Sequence, residues 1–276
     1  MKCMYVNGIA MNVLDEGSGP PLLLLHGFPD CHDVWRKQVP VLVAAGYRAI
    51  APDLRGCGDS ALLPAVGDYA MPHLLADLTA LLDALALPAV QVVAHDWGAV
   101  IGWQLAMAHP ERVQRLVAMS VGHPRAYAGG GLAQIAKGYY VGVFQLRGVA
   151  EWLLRAAGWA GFRILAGHAA EAPHWIERLA RPGRLAAAIN YYRANLHLLW
   201  RRDYPALTMP VVGIYSDGDR FLTRRQMLAS ARYCMVGFRY LEVPGVGHWM
   251  QLEAPGVINA MLLDILKENL NENLPA

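Results

Sequence analysis

Residues Val90 to Ala99 read Val-Gln-Val-Val-Ala-His-Asp-Trp-Gly-Ala. A short apolar run passes at once into a tight turn between small residues, then into a helix-like stretch reaching His109-Pro110. A strand that turns this sharply into a helix leaves little freedom to the backbone, and it lifts the residue at its apex clear of the chain. A serine at that apex, within G-x-S-x-G, serves acyl transfer. Here the apex is Asp96, and Ala94 stands where the first glycine would be. A carboxylate so placed attacks a saturated carbon and leaves a covalent alkyl ester that must then be hydrolysed. The plainer reading makes Asp96 the cap of the following helix, since Asp favours helix N-termini. Partners elsewhere in the chain bear on that choice.

The surrounding pattern predicts an α/β fold. Strand candidates are Val6 to Val13, Pro21 to Leu25, Arg48 to Ala51, Val90 to Val93, Leu116 to Met119 and Val211 to Tyr215. Leu22-Leu23-Leu24-Leu25 is continuously apolar, as a strand buried on both faces should be. Helical patterns lie between them, at Val34 to Ala45 and Pro72 to Leu85. The alternation implies a mostly parallel, doubly wound sheet, with ligands beyond the carboxyl ends of its strands. From about Gly122 to Leu207 strand signals vanish. Helical stretches take their place at Leu132 to Phe144, Val149 to Ala157, His174 to Leu179 and Arg184 to Trp200. The expected organisation is a core over 1–121 and 207–276 with an all-helical cap over 122–206, lying over the site and excluding water.

Composition narrows the classes. Of 276 residues 55% are hydrophobic and 17% charged, ample for a sizeable core. The apolar excess leaves room for a self-association patch, so a homodimer stays open. Net charge is +2, and pairs such as Arg201-Arg202 and Arg224-Arg225 are no nucleic-acid footprint. The four cysteines, Cys3, Cys31, Cys57 and Cys234, have neither metal spacing nor the density of a disulfide framework. Reduced thiols in a cytoplasm are the expectation. Met1 to Gly8 lacks the apolar stretch of a signal peptide, and no run of about 18 apolar residues predicts a membrane span. Neither a metal nor a cofactor is expected.

An ester on Asp96 needs an activated water, and the activating base needs orientation. Gly245-Val246-Gly247-His248-Trp249 is a glycine-flanked loop just before the last helix, which makes His248 the candidate base. After the strand Val211 to Tyr215 comes Ser216-Asp217-Gly218-Asp219. Either aspartate could reach the histidine and hold its tautomer; Asp219 is favoured by its place in the motif, with Asp217 as the turn residue. His26-Gly27-Phe28-Pro29 follows a buried strand, so the Phe28 N–H can pair with that of Trp97 as donors to a developing oxyanion.

In these motifs, together with Pro52-Asp53-Leu54-Arg55-Gly56-Cys57-Gly58-Asp59-Ser60, the chain resembles the α/β-hydrolase superfamily, in particular its epoxide hydrolase branch. The motifs stand in the family's order from about residue 5 to the last helix. Departures are minor: Ala94 and Ala99 replace common elbow glycines, and Cys57 replaces a usual aromatic or small residue. Haloalkane dehalogenases share His-Asp-Trp-Gly, but a halide needs N–H donors, and Phe28 has no side-chain donor where one would serve. An epoxide oxygen instead needs a proton as the ring opens. The resemblance implies two ring-opening tyrosines: Tyr140, from Tyr140-Val141-Gly142-Val143-Phe144-Gln145, and Tyr192, from Asn190-Tyr191-Tyr192-Arg193. A one-residue slip would make them Tyr139 and Tyr191. The implied activity converts an epoxide to a diol, with an uncharged apolar epoxide and water as partners. Phe28, Trp35, Trp97 and Trp249 are the expected lining. A dehalogenase, or a non-catalytic ligand receptor on the same fold, is the rival.

Overall fold

The computed structural model describes residues 1–268. Eight strands form one sheet: β1 (Lys2–Val6), β2 (Ile9–Glu16), β3 (Pro21–Leu25), β4 (Arg48–Pro52), β5 (Val90–His95), β6 (Val113–Met119), β7 (Val211–Ser216) and β8 (Phe238–Val243). Their order is β1-β2-β4-β3-β5-β6-β7-β8. β2 runs antiparallel to both its neighbours, and every pairing from β4 to β8 is parallel. Leu22 to Leu25 are fully buried, and β5 is buried along its whole length. Burying each such apolar side chain stabilises the fold by roughly 1.5–3 kcal/mol, which fixes these runs at the centre of the sheet.

The chain steps from β3 out to β4, then returns to β5 on the other side of β3. This reversal opens a crevice at the carboxyl ends of β3 and β5, where ligands of such sheets bind. The loop after β3 carries Phe28, and the turn after β5 carries Asp96. The loops after β7 and β8 carry Asp219 and His248.

Two sequence expectations change, and one strand went unread. Val6 to Val13 is not one strand: Asn7 and Gly8 take φ of 47° and 77°, making the two-residue turn of a hairpin with Val6 opposite Ile9. Val34 to Ala45 is not one helix. A 3-10 turn spans His32–Trp35 and an α-helix spans Val39–Ala44, with Pro40 in its first turn, where no amide donor is needed. β8 was not anticipated, because Phe238 to Glu242 are only half-buried and give no apolar run.

Between β6 and β7 the chain is helical, at Pro124–Ala128, Gly131–Lys137, Tyr139–Phe144, Val149–Ala166, Ala172–Ala180 and Arg184–Ala194, with a 3-10 turn at Leu196–Leu199. The long helix is broken at Ala156 to Trp159. Polar ties hold this segment to the sheet loops: Arg178 and His174 meet Asp33, and Tyr191 donates to the Arg55 carbonyl. Among the described residues no helix is long and apolar enough to cross a membrane.

Candidate active site

Asp96 sits at φ 53°, ψ −122°, between the end of β5 and the helix Trp97–Ala108. A non-glycine residue held there costs on the order of 1–3 kcal/mol, so packing must enforce it. A side chain on Gly98 would collide with the Leu25 carbonyl, and one on Gly27 with the Asp96 carboxylate. Ala94 and Ala99 are accommodated, both fully buried. The Asp96 side chain does not cap its helix. Its Oδ1 accepts the Phe28 N–H at 2.7 Å, and its Oδ2 lies 3.5 Å from His248 Nε2. Trp97 is the first residue of the helix, so its N–H has no intrahelical acceptor.

On the far side of the ring, His248 Nδ1 is 2.8 Å from Asp219 Oδ2. Asp219 Oδ1 takes the N–H groups of Phe221 and Leu222, at 2.7 and 3.0 Å. Asp217 instead accepts the Gly245 N–H at 2.6 Å, binding one loop to another. The two aspartates are thereby told apart: Asp219 meets the imidazole and Asp217 holds the turn. Burial opposes a charge on His248, but Asp219 and Asp96 outweigh it and raise the imidazole to about 10. Burial likewise would raise Asp96, yet the hydrogen bond and charge of His248 hold it below the usual carboxylate range. An ion pair therefore faces the cavity.

Tyr140 and Tyr192 are 8% and 6% exposed, their rings 5.8 Å apart, and both line the cavity with Asp96. Burial pushes both phenols well above their ordinary range, so they stay protonated. Tyr139 is 62% exposed, while the Tyr191 hydroxyl is spent on the Arg55 carbonyl at 2.7 Å. The cavity runs from Asp96 past Trp97 along Val100, Val121, Leu196 and Leu198. A smaller chamber adjoins it, walled by Phe28, Phe221 and Trp249. Trp35 needs correcting: it is fully buried in the core and lines neither chamber.

Several residues at the site went unread in the sequence. His95 Nε2 donates to the His248 carbonyl at 2.9 Å, and Ser120 Oγ lies 3.3 Å from the same oxygen. These anchor the backbone of the His248 loop. Burial lowers His95 to about 4, so it is neutral and its Nε2 carries the proton. Asp30 receives indole N–H groups from Trp175 at 2.6 Å and Trp249 at 2.9 Å. Burial raises its carboxyl to about 7 despite those donors. The Asp in His-Gly-Phe-Pro-Asp was a signal within reach, but its partner Trp175 lies 145 residues away. One trio among the described residues, Cys31, His32 and Asp53, has ligand atoms within 4.8 Å of one another. Both Asp53 oxygens are already occupied, by the His32 N–H and ring, Asn12 and the Asp59 N–H, so the trio ties loops together.

Comparison with known proteins identifies the family. The family described as the alpha/beta hydrolase fold matches residues 20–255. The AB hydrolase superfamily protein YfhM of Bacillus subtilis is 32% identical, over 97% of this chain and 98% of its own length. Epoxide hydrolase 2 of Siraitia grosvenorii is 33% identical, over 95% of this chain and 96% of its own. The crystal structure of the epoxide hydrolase VrEH1 from Vigna radiata superposes with a TM-score of 0.84 at 30% identity, covering 96% of this chain and 97% of that one. The chain belongs to the α/β-hydrolase family, in the branch that contains the epoxide hydrolases.

Proposed function

We propose that this protein is an epoxide hydrolase, converting an uncharged apolar epoxide to a vicinal diol. One observation carries the reading: two buried phenols share a cavity with a carboxylate that also meets a histidine–aspartate pair. Asp96 Oδ2 attacks a ring carbon. The C–O bond breaks, and the ring oxygen takes a proton from Tyr140 or Tyr192, leaving a hydroxy-ester and a phenolate.

Forming the ester removes the negative charge on Asp96 that had favoured the imidazolium. His248 can then give up its proton, which restores the phenol from the phenolate, and act as base, with Asp219 holding its tautomer. Water adds to the ester carbonyl while its proton passes to Nε2. The oxyanion develops on Oδ1, against the N–H groups of Phe28 and Trp97. Collapse breaks the acyl C–O bond, and the diol oxygen leaves with the proton from His248. Ionisation of the regenerated Asp96 acid returns a proton to His248 and restores the ion pair. The aromatic walls of Phe28, Trp97 and Trp249 suit an apolar substituent.

The test is turnover over a panel of aryl and alkyl epoxides beside matched chloroalkanes. Diol from the former without halide from the latter supports the reading. Halide release alone makes the protein a dehalogenase, and saturable binding without product makes it a receptor.

A further inference from the structure

A further cavity reaches His248 without touching Asp96 or either phenol. Its walls are unlike those of the apolar cavity. His168, Arg220 and Glu253 line it beside Phe221, His248 and Trp249. Arg220, Glu253, Ala169 and Ala170 are exposed, so it opens to solvent. It shares Ala166, Phe221, His248 and Trp249 with the inner chamber at Asp96. A single layer of rings therefore parts the two spaces. Phe221 stands 5.0 Å from His248 and 6.0 Å from Trp249, centre to centre, and His248 stands 4.9 Å from Trp249.

The chemistry creates a traffic problem that this arrangement answers. Once Asp96 is esterified, the substrate-derived group fills the apolar cavity, which is also a poor place for water. Hydrolysis still requires one water within hydrogen-bonding reach of His248 Nε2 on every turnover. A polar cavity open to solvent gives water a standing place beside His248. We propose that this opening is the inlet for the hydrolytic water, separate from the route of the epoxide, with Phe221 as the residue that parts to admit it. Substrate and water then reach the two sides of the same ester without displacing one another. The proposal rests on the ester mechanism given under Proposed function.

Ala169 and Ala170 lie in an exposed turn at the rim, where a large side chain can plug the opening without entering the core. Ala169→Trp and Ala170→Trp, with Ala170→Ser as the small control, are mixed rapidly with styrene oxide, and the ester is followed by intact mass. Ring opening is expected to keep its wild-type rate. Ester hydrolysis should slow by about tenfold, so the ester accumulates and kcat and KM fall together, while Ala170→Ser behaves as wild type. Ester decay at the wild-type rate in both Trp variants overturns the inlet. So does ring opening slowed as much as hydrolysis, which would make the cavity a substrate route. His248→Gln, run alongside, separates the two levels of argument: if it too forms no ester, the ester mechanism is overturned, and the inlet with it.

Discussion

Tyr191 and Tyr192 are neighbours on one helix, yet their phenols face different surroundings. The Tyr191 hydroxyl donates to the Arg55 carbonyl at 2.7 Å, beside the ring of Tyr69. Tyr192 lies edge-on to Trp97, 5.0 Å between ring centres, in the cavity at Asp96. Successive residues of a helix point about 100° apart, so one tyrosine is tied to the sheet loops and the next faces the site. Tyr139 and Tyr140 divide in the same way, the first toward solvent and the second inward.

That division makes a sharp prediction. Tyr140→Phe and Tyr192→Phe should each slow ring opening, by roughly the 10² to 10⁴ of a positioned general acid. Each phenol partly covers for the other, so the double variant should be far slower than either single. Tyr139→Phe should be silent. Tyr191→Phe should lower the melting temperature, since the Arg55 carbonyl loses its donor, and leave ring opening within a few-fold of wild type. Single-turnover rates with an aryl epoxide check all five, and a double variant at wild-type rates would remove the phenols from the mechanism.

The histidine and its partner should act on the second step. His248→Gln should open the ring and then stall, giving a protein whose mass exceeds the enzyme's by that of the substrate. Asp219→Asn should stall less completely, because the imidazole remains but loses the carboxylate that fixes its tautomer. Asp217→Asn should disturb only the turn at Gly245. A silent Asp219→Asn beside an inactive Asp217→Asn would contradict the assignment.

How much of this was legible in the sequence depended on distance along the chain. Asp96, Phe28 and His248 each stand in a local motif, where a buried strand, a turn and small residues announce the backbone that holds them. Register was harder: Tyr191 and Tyr192 differ only in what they face, and that is set by residues 55, 69 and 97. The pairing of Asp30 could not be read, because its indole donors come from 145 and 219 residues away. Trp35 was misjudged for a related reason. Near the loop after β3 a tryptophan can face ligand or core, and the short 3-10 turn at His32–Trp35, not a long helix, turned it inward. The Asn7-Gly8 hairpin was local and readable, but the alternating residues around it passed for one strand.

Two buried groups give stability a pH dependence of one sign. Asp219 and Asp96 outweigh burial and raise His248 from about 6.5 to about 10. A histidine whose folded value lies above its unfolded one stabilises fully below the unfolded value, and that contribution is lost as pH climbs through about 10. Burial raises Asp30 to about 7, so its neutral form is favoured in the fold and its contribution fades as pH climbs from 3.8 through about 7. The melting temperature should therefore fall from neutral pH toward pH 10. His248→Gln should flatten the alkaline part of that fall and spare the part below neutrality. Equal slopes in the two proteins above pH 7 would show that His248 does not carry it.

The covalent route can be tested by following oxygen. Asp96 Oδ1 is held by the Phe28 N–H, which leaves Oδ2, 3.5 Å from His248 Nε2, as the oxygen free to attack. The atom that becomes the new diol oxygen is then Oδ2. Water attacks the ester carbonyl rather than the substrate carbon, so its oxygen remains on Asp96. A single turnover in ¹⁸O-water with enzyme in excess should yield unlabelled diol and a labelled peptide containing Asp96. Repeated turnovers should then release label into the diol, one cycle late. Direct attack on the epoxide by water activated at His248 reverses both results, giving labelled diol and an unlabelled peptide from the first cycle. In that outcome the strained turn at Asp96 would position a charge beside the ring and form no bond to it.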